Sequence, residues 1–172
     1  MKKVEVEIVL GKDALLPSYE SLKAAGADLR ANFSNTKGIK GVNISTQVVS
    51  DERGNDVNAV LVKSGGRVLI PTGLRVAIPD GYQMEVRPRS GLAINKGLTV
   101  LNTPGTVDGD YRGEVGVILV NTHTAGVLIK DGERIAQAVI VPVVQADWKV
   151  VEKLSETARG EGGFGSTDKK DK

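Results

Sequence analysis

Short runs in which apolar and polar residues alternate recur along most of the chain, and glycine, proline, asparagine or aspartate separates them. Runs of this kind, rich in valine and isoleucine, are typical of β-strands with one buried face. The pattern predicts strands over Val4 to Leu10, Val42 to Ser50, Val57 to Lys63, Arg67 to Ile70, Leu74 to Ile78, Gln83 to Arg87, Leu98 to Leu101, Glu114 to Asn121, Gly126 to Ile129 and Ile135 to Val144. With 21 glycines available for turns, we predict an all-β fold, an antiparallel barrel or jelly roll.

Two segments interrupt this pattern. Ser90 to Asn95 is predicted to form a brief helix that Ser90 caps, ahead of Gly97. Between Lys37 and Gly66 the alternating runs ISTQVV and VNAVLV flank the turn-forming residues DERGND. This arrangement predicts an inserted β-hairpin, which we expect to protrude.

A change of composition near Val151 divides the chain. Residues 1–150 carry the strand pattern and are enough for one domain with a buried core. From about Val151 the apolar pattern stops, and charged residues and four glycines between Gly160 and Gly165 replace it. Residues 151–172 bury too little surface to fold alone, so we expect either a disordered extension or an arm that orders on a ligand.

Composition excludes several kinds of site. The chain has no cysteine and one histidine, His123, which excludes disulfides and nearly excludes zinc sites and catalytic triads. Carboxylates, amides, hydroxyls and arginines remain, and oxygen-bound cations such as magnesium suit them. A net charge of +2 is too small to indicate a nucleic-acid partner, and no apolar run approaches the ~18 residues of a membrane span. The first ten residues alternate like a strand instead of a secretion signal, so we expect the cytoplasm.

The segment PRSGLA, residues 88–93, is the first candidate site. Arg89 offers a fork of donors, Ser90 a hydroxyl and Gly91 a bare amide, all at the start of the predicted helix. Free N–H groups at a helix start favour a phosphate. A capped turn with a surface arginine explains the same residues equally well.

Residues 101–121, LNTPGTVDGDYRGEVGVILVN, form the second candidate site. Asp108 could activate a water molecule, and Tyr111 could stack on a sugar. The alternative is that Asp108, Gly109 and Asp110 merely form a tight hairpin between two strands.

Two more segments carry polar residues that could belong to a site. In AGADLRA, residues 25–31, alternation places Asp28 and Arg30 on one side, which by itself favours a solvated ion pair. In GERIAQAVIVPV, residues 132–143, Gln137 is the polar exception in an apolar strand. A buried amide needs partners, and these are either backbone groups or a phosphate with its metal-bound waters.

The glycine-rich segment RGEGGFG, residues 159–165, has three interpretations. It is a flexible tail, an RNA-binding segment, for which one Arg-Gly unit is too few, or an arm that closes over a nucleotide. In the last case Arg159 would bind a phosphate and Phe164 would stack on a base.

In order and spacing, these segments resemble the conserved motifs of the homotrimeric dUTP pyrophosphatases. AGADLRA is similar to the first motif, RPRSGLA to the second, LNTPGTVDGDYRG to the third, GERIAQAVIVPV to the fourth and RGEGGFGST to the fifth. The match runs from residue 25 to residue 167. The resemblance implies a jelly-roll-like barrel of the dUTPase type, a homotrimer whose flexible C-terminal arm, residues 151–172, closes over active sites shared between subunits.

The resemblance also implies an activity and its residues. dUTP would be hydrolysed to dUMP and pyrophosphate, which lowers dUTP and supplies dUMP for thymidylate synthesis. Asp108 would be the base for the water that attacks the α-phosphorus, Tyr111 would exclude a 2′-hydroxyl, and Asp28 would hold Mg²⁺ through water. The remaining implied substrate-binding residues are Arg89, Ser90, Gly91 and Gln137 at the phosphates, Asn102, Thr106, Val107 and Gly116 at the uracil, and Arg159, Phe164, Gly165 and Ser166 in the arm.

Two departures and two alternatives accompany the resemblance. Asp168 stands where the arm usually has glycine, and the hairpin between Lys37 and Gly66 lengthens the chain, as a harmless loop or as a contact for a partner or a subunit. A dCTP deaminase of the same fold would need a glutamate where Val117 and Ile118 stand. A nucleotide-binding regulatory protein would keep the trimer and the nucleotide pocket without catalysis, and the presence of Asp108, Tyr111 and Gln137 argues against that loss.

Overall fold

The computed structural model describes residues 3–34 and 36–164, so Gly165 and Ser166 of the expected arm lie outside the described residues. The described chain is mostly β-structure, as predicted. In chain order the strands are β1 Glu7–Leu10, β2 Ala27–Arg30, β3 Lys40–Ser50, β4 Asp56–Pro71, β5 Leu74–Ala77, β6 Tyr82–Arg87, β7 Leu98–Val100, β8 Gly105–Val107, β9 Gly116–Asn121, β10 Val127–Lys130 and β11 Arg134–Pro142. One helix, α1 Ser90–Lys96, and a 3-10 turn, Thr36–Gly38, complete the described elements.

Two antiparallel sheets enclose the core. One has the strand order β10-β4-β9-β7, with β3 also paired to β4, and the other has the order β2-β11-β6-β8. A two-stranded pair, β1 with β5, lies beside them. Buried residues of both sheets, among them Leu29, Val86, Ile70 and Leu119, belong to one hydrophobic cluster. This two-layered arrangement is the jelly-roll-like fold that the sequence pattern predicts.

The predicted hairpin is present as β3 and β4, paired from Lys40 with Leu69 to Ser50 with Asp56. The expectation that it protrudes is wrong for its base, because residues 59–62 of β4 also pair with β10. Its turn is closed by Asp51, whose carboxylate accepts the backbone N–H of Asn55 at 2.8 Å. That hydrogen bond lowers the pKa of Asp51 below its ordinary value.

Helix α1 begins at Ser90, so its N-cap lies one position earlier than predicted. Its N-cap is Arg89, in an extended conformation with no side-chain capping bond, so the expectation that Ser90 caps it is wrong. Gly97 ends it in the left-handed conformation with φ 62°, as the sequence indicates.

The connection after β8 excludes the alternative of a tight hairpin. Because β8 pairs with β6 while β9 pairs with β4 and β7, residues 108–115 cross from one sheet to the other. They are therefore not the turn of a tight hairpin.

The sequence pattern misses two short strands of the four-stranded sheet, β2 and β8, which have only four and three residues.

The last strand ends at Pro142, two residues before its predicted end. From Val143 to Phe164 the chain has no regular strand or helix. Apolar side chains at alternate positions stay exposed there: Val144, Trp148 and Val150. In the described part of the chain, no helix is long and apolar enough to cross a membrane.

Candidate active site

Asp28 is the buried centre of an ion-pair cluster whose other members are partly exposed. Its side chain, on β2, is about 9% exposed. One carboxylate oxygen lies 2.9 Å from Nε of Arg89 and the other lies 3.2 Å from Nη1 of Arg134. Arg134 also contacts Glu20 at 3.1 Å. The predicted ion pair with Arg30 is wrong, because Arg30 donates instead to the carbonyl of Gly132.

Arg89 reaches this cluster because of where β6 ends. Strands β2, β11 and β6 are neighbours, and Asp28, Gln137 and Arg87 lie side by side across them. Arg89 follows two residues after Arg87, and its Nη1 also donates to the carbonyl of Arg134 at 3.2 Å. The charges of Arg89 and Arg134 are balanced here by Asp28 and Glu20. The forked donors of the two guanidinium groups nevertheless suit a phosphate group.

Gln137 occupies the next position in this cluster. Its amide nitrogen donates to the carbonyl of Pro88 at 2.9 Å, so a backbone group is one of the partners that the sequence left open. Its amide oxygen lies over Gly26, where an added Cβ would be 2.2 Å away. Gly26 therefore leaves the space that the carboxamide fills.

Arg134 is a residue that the sequence reasoning missed. In a regular strand Arg134 and Gln137 would point to opposite faces, because side chains alternate. The pairing with β2 shifts register between Arg134 and Ala136, and such a bulge brings both side chains to the same face. The alternation of the sequence gives no sign of this bulge.

Ser90 and Gly91 form the first turn of α1, directly after Arg89, and both are exposed. The N–H groups of a first helical turn have no partner within the helix. An added Cβ on Gly91 would meet no atom within 4 Å, so the space around this turn is open. The predicted phosphate-binding residues thus lie together with Asp28 and Gln137.

A second group of predicted residues lies on and after β8. Thr106 and Val107 pair with Glu85 and Met84 of β6. The amide nitrogen of Asn102 lies close to Gly105, 3.1 Å from the position of an added Cβ. Gly116, the fourth predicted uracil residue, begins β9 in the other sheet.

Asp108 directly follows the last residue of β8, so its backbone is held at a strand end. Its side chain is exposed, and its carbonyl accepts the N–H of Tyr111 at 3.2 Å. Arg112 donates to the carbonyls of Gly109 and Tyr111 at 2.6 and 3.0 Å. The turn is thus fixed by its own hydrogen bonds, and Asp108 remains accessible to a ligand.

The ring of Tyr111 lies over Gly113. An added Cβ at Gly113 would be 2.3 Å from the Tyr111 hydroxyl oxygen, so a side chain there would displace the ring. The hydroxyl donates to the carbonyl of Glu114 at 3.1 Å. The ring is 45% exposed and can stack on a ligand.

In the described part of the predicted arm, the side chain of Arg159 bonds within the arm and not to the residues around Asp28 or Asp108. Arg159 donates to the carbonyl of Gly162 at 2.6 Å within the arm itself. Phe164 is fully exposed and has a positive φ of 47°. Within residues 3–34 and 36–164, its ring is thus free to stack on a partner.

Comparison with known proteins assigns the family. Residues 56–168 match the family model for dUTPase. The chain is 48% identical over 160 residues to the deoxyuridine 5'-triphosphate nucleotidohydrolase of Nautilia profundicola, covering 93% of this chain and 95% of that protein. The chain belongs to the dUTPase family. It is also 52% identical over 152 residues to the corresponding protein of Dinoroseobacter shibae, covering 88% of this chain and 86% of that one.

A solved dUTPase has the same fold. The dUTPase of Staphylococcus bacteriophage 80alpha, determined with dUPNHPP, superimposes with a TM-score of 0.70 at 26% identity. The superposition covers 94% of this chain and 97% of that one. The jelly-roll-like barrel of the dUTPase family is therefore the architecture of this chain.

The two groups of site residues lie far apart within this dUTPase chain. Asp28 and β8 are separated by three strand spacings, and Asp108 lies about four residues from the level of Arg87 along β6. With strands ~4.8 Å apart and residues ~3.4 Å apart, Asp28 and Asp108 are separated by roughly 20 Å on a flat sheet. At this flat-sheet spacing, the two residues of one chain are too far apart to contact the same phosphate group.

The residues around Asp28 suit a metal ion that binds together with a phosphate ligand, and not one that the protein alone holds. Among the described residues, no three histidine, aspartate or glutamate side chains are grouped to hold a metal. Magnesium in nucleotide sites keeps several waters and uses one or two carboxylates together with substrate phosphates. The single carboxylate of Asp28, already paired with two arginines, fits contact through water better than direct ligation.

Proposed function

We propose that this protein is a dUTP diphosphatase, which hydrolyses dUTP to dUMP and pyrophosphate and so lowers dUTP and supplies dUMP for thymidylate synthesis. Membership of the dUTPase family, with 48% and 52% identity to two deoxyuridine 5'-triphosphate nucleotidohydrolases, is the observation that carries this proposal. The residues that the family resemblance implies are all present within 3–34 and 36–164, apart from Gly165 and Ser166.

The cluster on β2, β11 and α1 binds the triphosphate in this proposal. Arg89 supplies charge, Ser90 and Gly91 supply donors at the helix start, and Gln137 supplies an amide. Asp28 fixes Arg89 at 2.9 Å and would hold a hydrated Mg²⁺. When bound, the ion would supply neutralisation of the phosphate charge, while Arg89 and Gln137 orient the triphosphate for in-line attack.

Asp108 is the general base. It orients and deprotonates the water that attacks the α-phosphorus, and its place directly after β8, with a hydrogen-bonded turn behind it, supports this role. A positioned base is typically worth about 10² to 10⁴ in rate.

The segment that contains the third motif binds the nucleoside and selects it by base and sugar. Asn102, with backbone groups of Thr106, Val107 and Gly116, binds uracil, and the exposed ring of Tyr111 leaves no room for a 2′-hydroxyl. Fixed donors and acceptors reject a base with the wrong groups, because buried polar atoms would remain unpaired.

The active enzyme is a homotrimer in which each site combines residues of different subunits. Two observations support this. The separation of Asp28 from Asp108 by roughly 20 Å within one chain is too large for a shared phosphate. The alternating apolar side chains of Val144, Trp148 and Val150 are 94%, 88% and 96% exposed, which is typical of a segment that packs on another chain. The arm, with Arg159, Phe164, Gly165 and Ser166, then closes over the bound nucleotide.

The test is a comparison of four nucleotides with the full-length protein. Pyrophosphate release is measured from dUTP, dCTP, dTTP and UTP, each with magnesium and with a chelator, and ammonia release is measured from dCTP. We expect release from dUTP alone and only with magnesium. Ammonia from dCTP would favour a deaminase, and binding of dUTP without turnover would favour a regulatory protein; either result contradicts the proposal.

A further inference from the structure

The catalytic turn, residues 108–113, is exposed, so something other than the hydrophobic core has to hold it. On its N-terminal side, the pairing of β8 with β6 fixes the backbone. On its C-terminal side, residues 114 and 115 meet the corner between β4 and β5. The N–H of Val115 donates to the carbonyl of Leu74 at 2.8 Å, and the buried hydroxyl of Thr72 donates to the carbonyl of Val115 at 2.5 Å.

Glu114 connects this corner to the ring of Tyr111. Its carbonyl accepts the Tyr111 hydroxyl at 3.1 Å. Its carboxylate accepts the backbone N–H of Gly73 at 2.7 Å, a charge-assisted bond of the stronger kind. One residue thus anchors the hydroxyl of the ring at one end and the corner of the barrel at the other.

The corner itself has little freedom to move. Gly73 has a φ of 71°, and an added Cβ there would be 2.7 Å from Ala14 and 2.8 Å from the amide of Asn32. Its carbonyl also accepts the N–H of Gly11 at 2.7 Å. A carboxylate fixed on this amide is therefore fixed on a part of the barrel that several segments hold.

We infer that Glu114 is a positioning residue for nucleoside selection: by holding its own carbonyl in place through the bond to Gly73, it sets the height of the Tyr111 ring beneath the sugar. The inference rests on the proposed function, because it assumes that Tyr111 faces the deoxyribose. Without the anchor, the ring can tilt away from its position over Gly113 and open room for a 2′-hydroxyl. Activity on dUTP then falls and discrimination against UTP falls with it.

The experiment compares Glu114→Ala and Glu114→Gln with the unchanged protein. A glutamine oxygen can still accept the Gly73 N–H, so Glu114→Gln is the conservative variant. Glu52→Ala, at the turn of the β3–β4 hairpin, removes one negative charge elsewhere and serves as the matched control. For each protein, kcat and KM are measured for dUTP and UTP, together with the thermal midpoint and hydrogen exchange at the Gly73 amide.

For Glu114→Ala we expect kcat/KM on dUTP to fall about tenfold and the UTP-to-dUTP ratio to rise by a similar factor, since small misplacements of a positioning group have effects of this size or larger. Exchange at Gly73 accelerates, and the thermal midpoint changes little. Glu114→Gln keeps the ratio and the slow exchange, and Glu52→Ala matches the unchanged protein.

Two results overturn the inference, and they differ from failure of the proposed function. If the unchanged protein hydrolyses dUTP but Glu114→Ala keeps its UTP-to-dUTP ratio, Glu114 does not position the ring. If Glu114→Gln loses selectivity as fully as Glu114→Ala, the bond to Gly73 is not the cause. If the unchanged protein does not hydrolyse dUTP, the proposed function is wrong and this role is lost with it.

Discussion

The carboxamide of Gln137 fills the space that a side chain at position 26 would need: an added Cβ on Gly26 would be 2.2 Å from Gln137 Oε1 and 3.0 Å from its Cδ. The amide is held from the other side by its bond to the carbonyl of Pro88 at 2.9 Å. A glycine in the first motif thus determines where an amide of the fourth motif lies.

Gly26→Ala tests this relationship. The new methyl group should displace Gln137 and lower kcat/KM on dUTP about tenfold or more, as expected for misplacement by an ångström near bound phosphates. The measurement is a double-mutant cycle with Gln137→Ala. If Gly26→Ala acts through the carboxamide of Gln137, it has a much smaller effect in the Gln137→Ala background, where only the Cβ of residue 137, 3.1 Å from the added methyl group, remains. Full additivity of the two effects would contradict this explanation.

Asp108→Asn tests the general base. The amide has nearly the same shape but cannot take a proton, so we expect kcat to fall by about 10² to 10⁴. Affinity for a non-hydrolysable dUTP analogue, measured by calorimetry, should stay within a few-fold of the original value. Asp110→Asn, two residues away in the same turn, is the matched control. Retained turnover in Asp108→Asn would remove this residue from the base role.

Tyr111→Ala tests sugar selection. Loss of the ring removes the surface beneath the deoxyribose, so the ratio of kcat/KM for UTP to that for dUTP should rise. Tyr111→Phe keeps the ring and removes only the bond to the Glu114 carbonyl, so its ratio should lie between those of the other two proteins. An unchanged ratio in Tyr111→Ala would place sugar selection at another residue.

Truncation before Arg159 tests the arm. Residues 155–161 are exposed, so the truncated protein should keep its thermal midpoint. Turnover should fall severely, because stacking of Phe164 on the base is worth ~1 to 3 kcal/mol and the contact of Arg159 with phosphate is lost as well. Phe164→Ala in the full-length chain separates the two contributions. An unchanged rate after truncation would mean that the arm does not act in catalysis.

Mixing two inactive variants tests the shared site. Asp108→Asn and Arg89→Ala remove residues that lie at opposite ends of β6 in one chain, because Asp108 follows Val107, which pairs with Met84, whereas Arg89 follows the last residue of β6, Arg87. If a site takes these residues from different subunits, refolding the two variants together at equal amounts should restore about one quarter of the original activity, because one site in four receives both intact residues. Activity that stays at the level of the separate variants would contradict a shared site.

Local pattern predicted most of the barrel. Hydrophobic alternation found the long strands and the β3–β4 pairing, since period-two alternation reflects one buried face and needs no knowledge of partners. It failed at β2 and β8, which are too short to show a period, and it did not decide the path of the segment after β8. For that segment the sequence left a tight hairpin open as an alternative, but the segment crosses between sheets because β8 pairs with β6 and β9 with β4.

The sequence alone determined the family, the chemical types at the site and the residues that carry them, since Asp28, Arg89, Asp108, Tyr111 and Gln137 are recognisable from motif and spacing. Only the tertiary structure decided how they combine. Partners of Asp28 depend on strand register and on the bulge after Arg134, and these are set by pairing between strands that are distant in sequence. For the same reason the sequence showed neither the space that Gly26 leaves for Gln137 nor the anchor that Glu114 gives Tyr111.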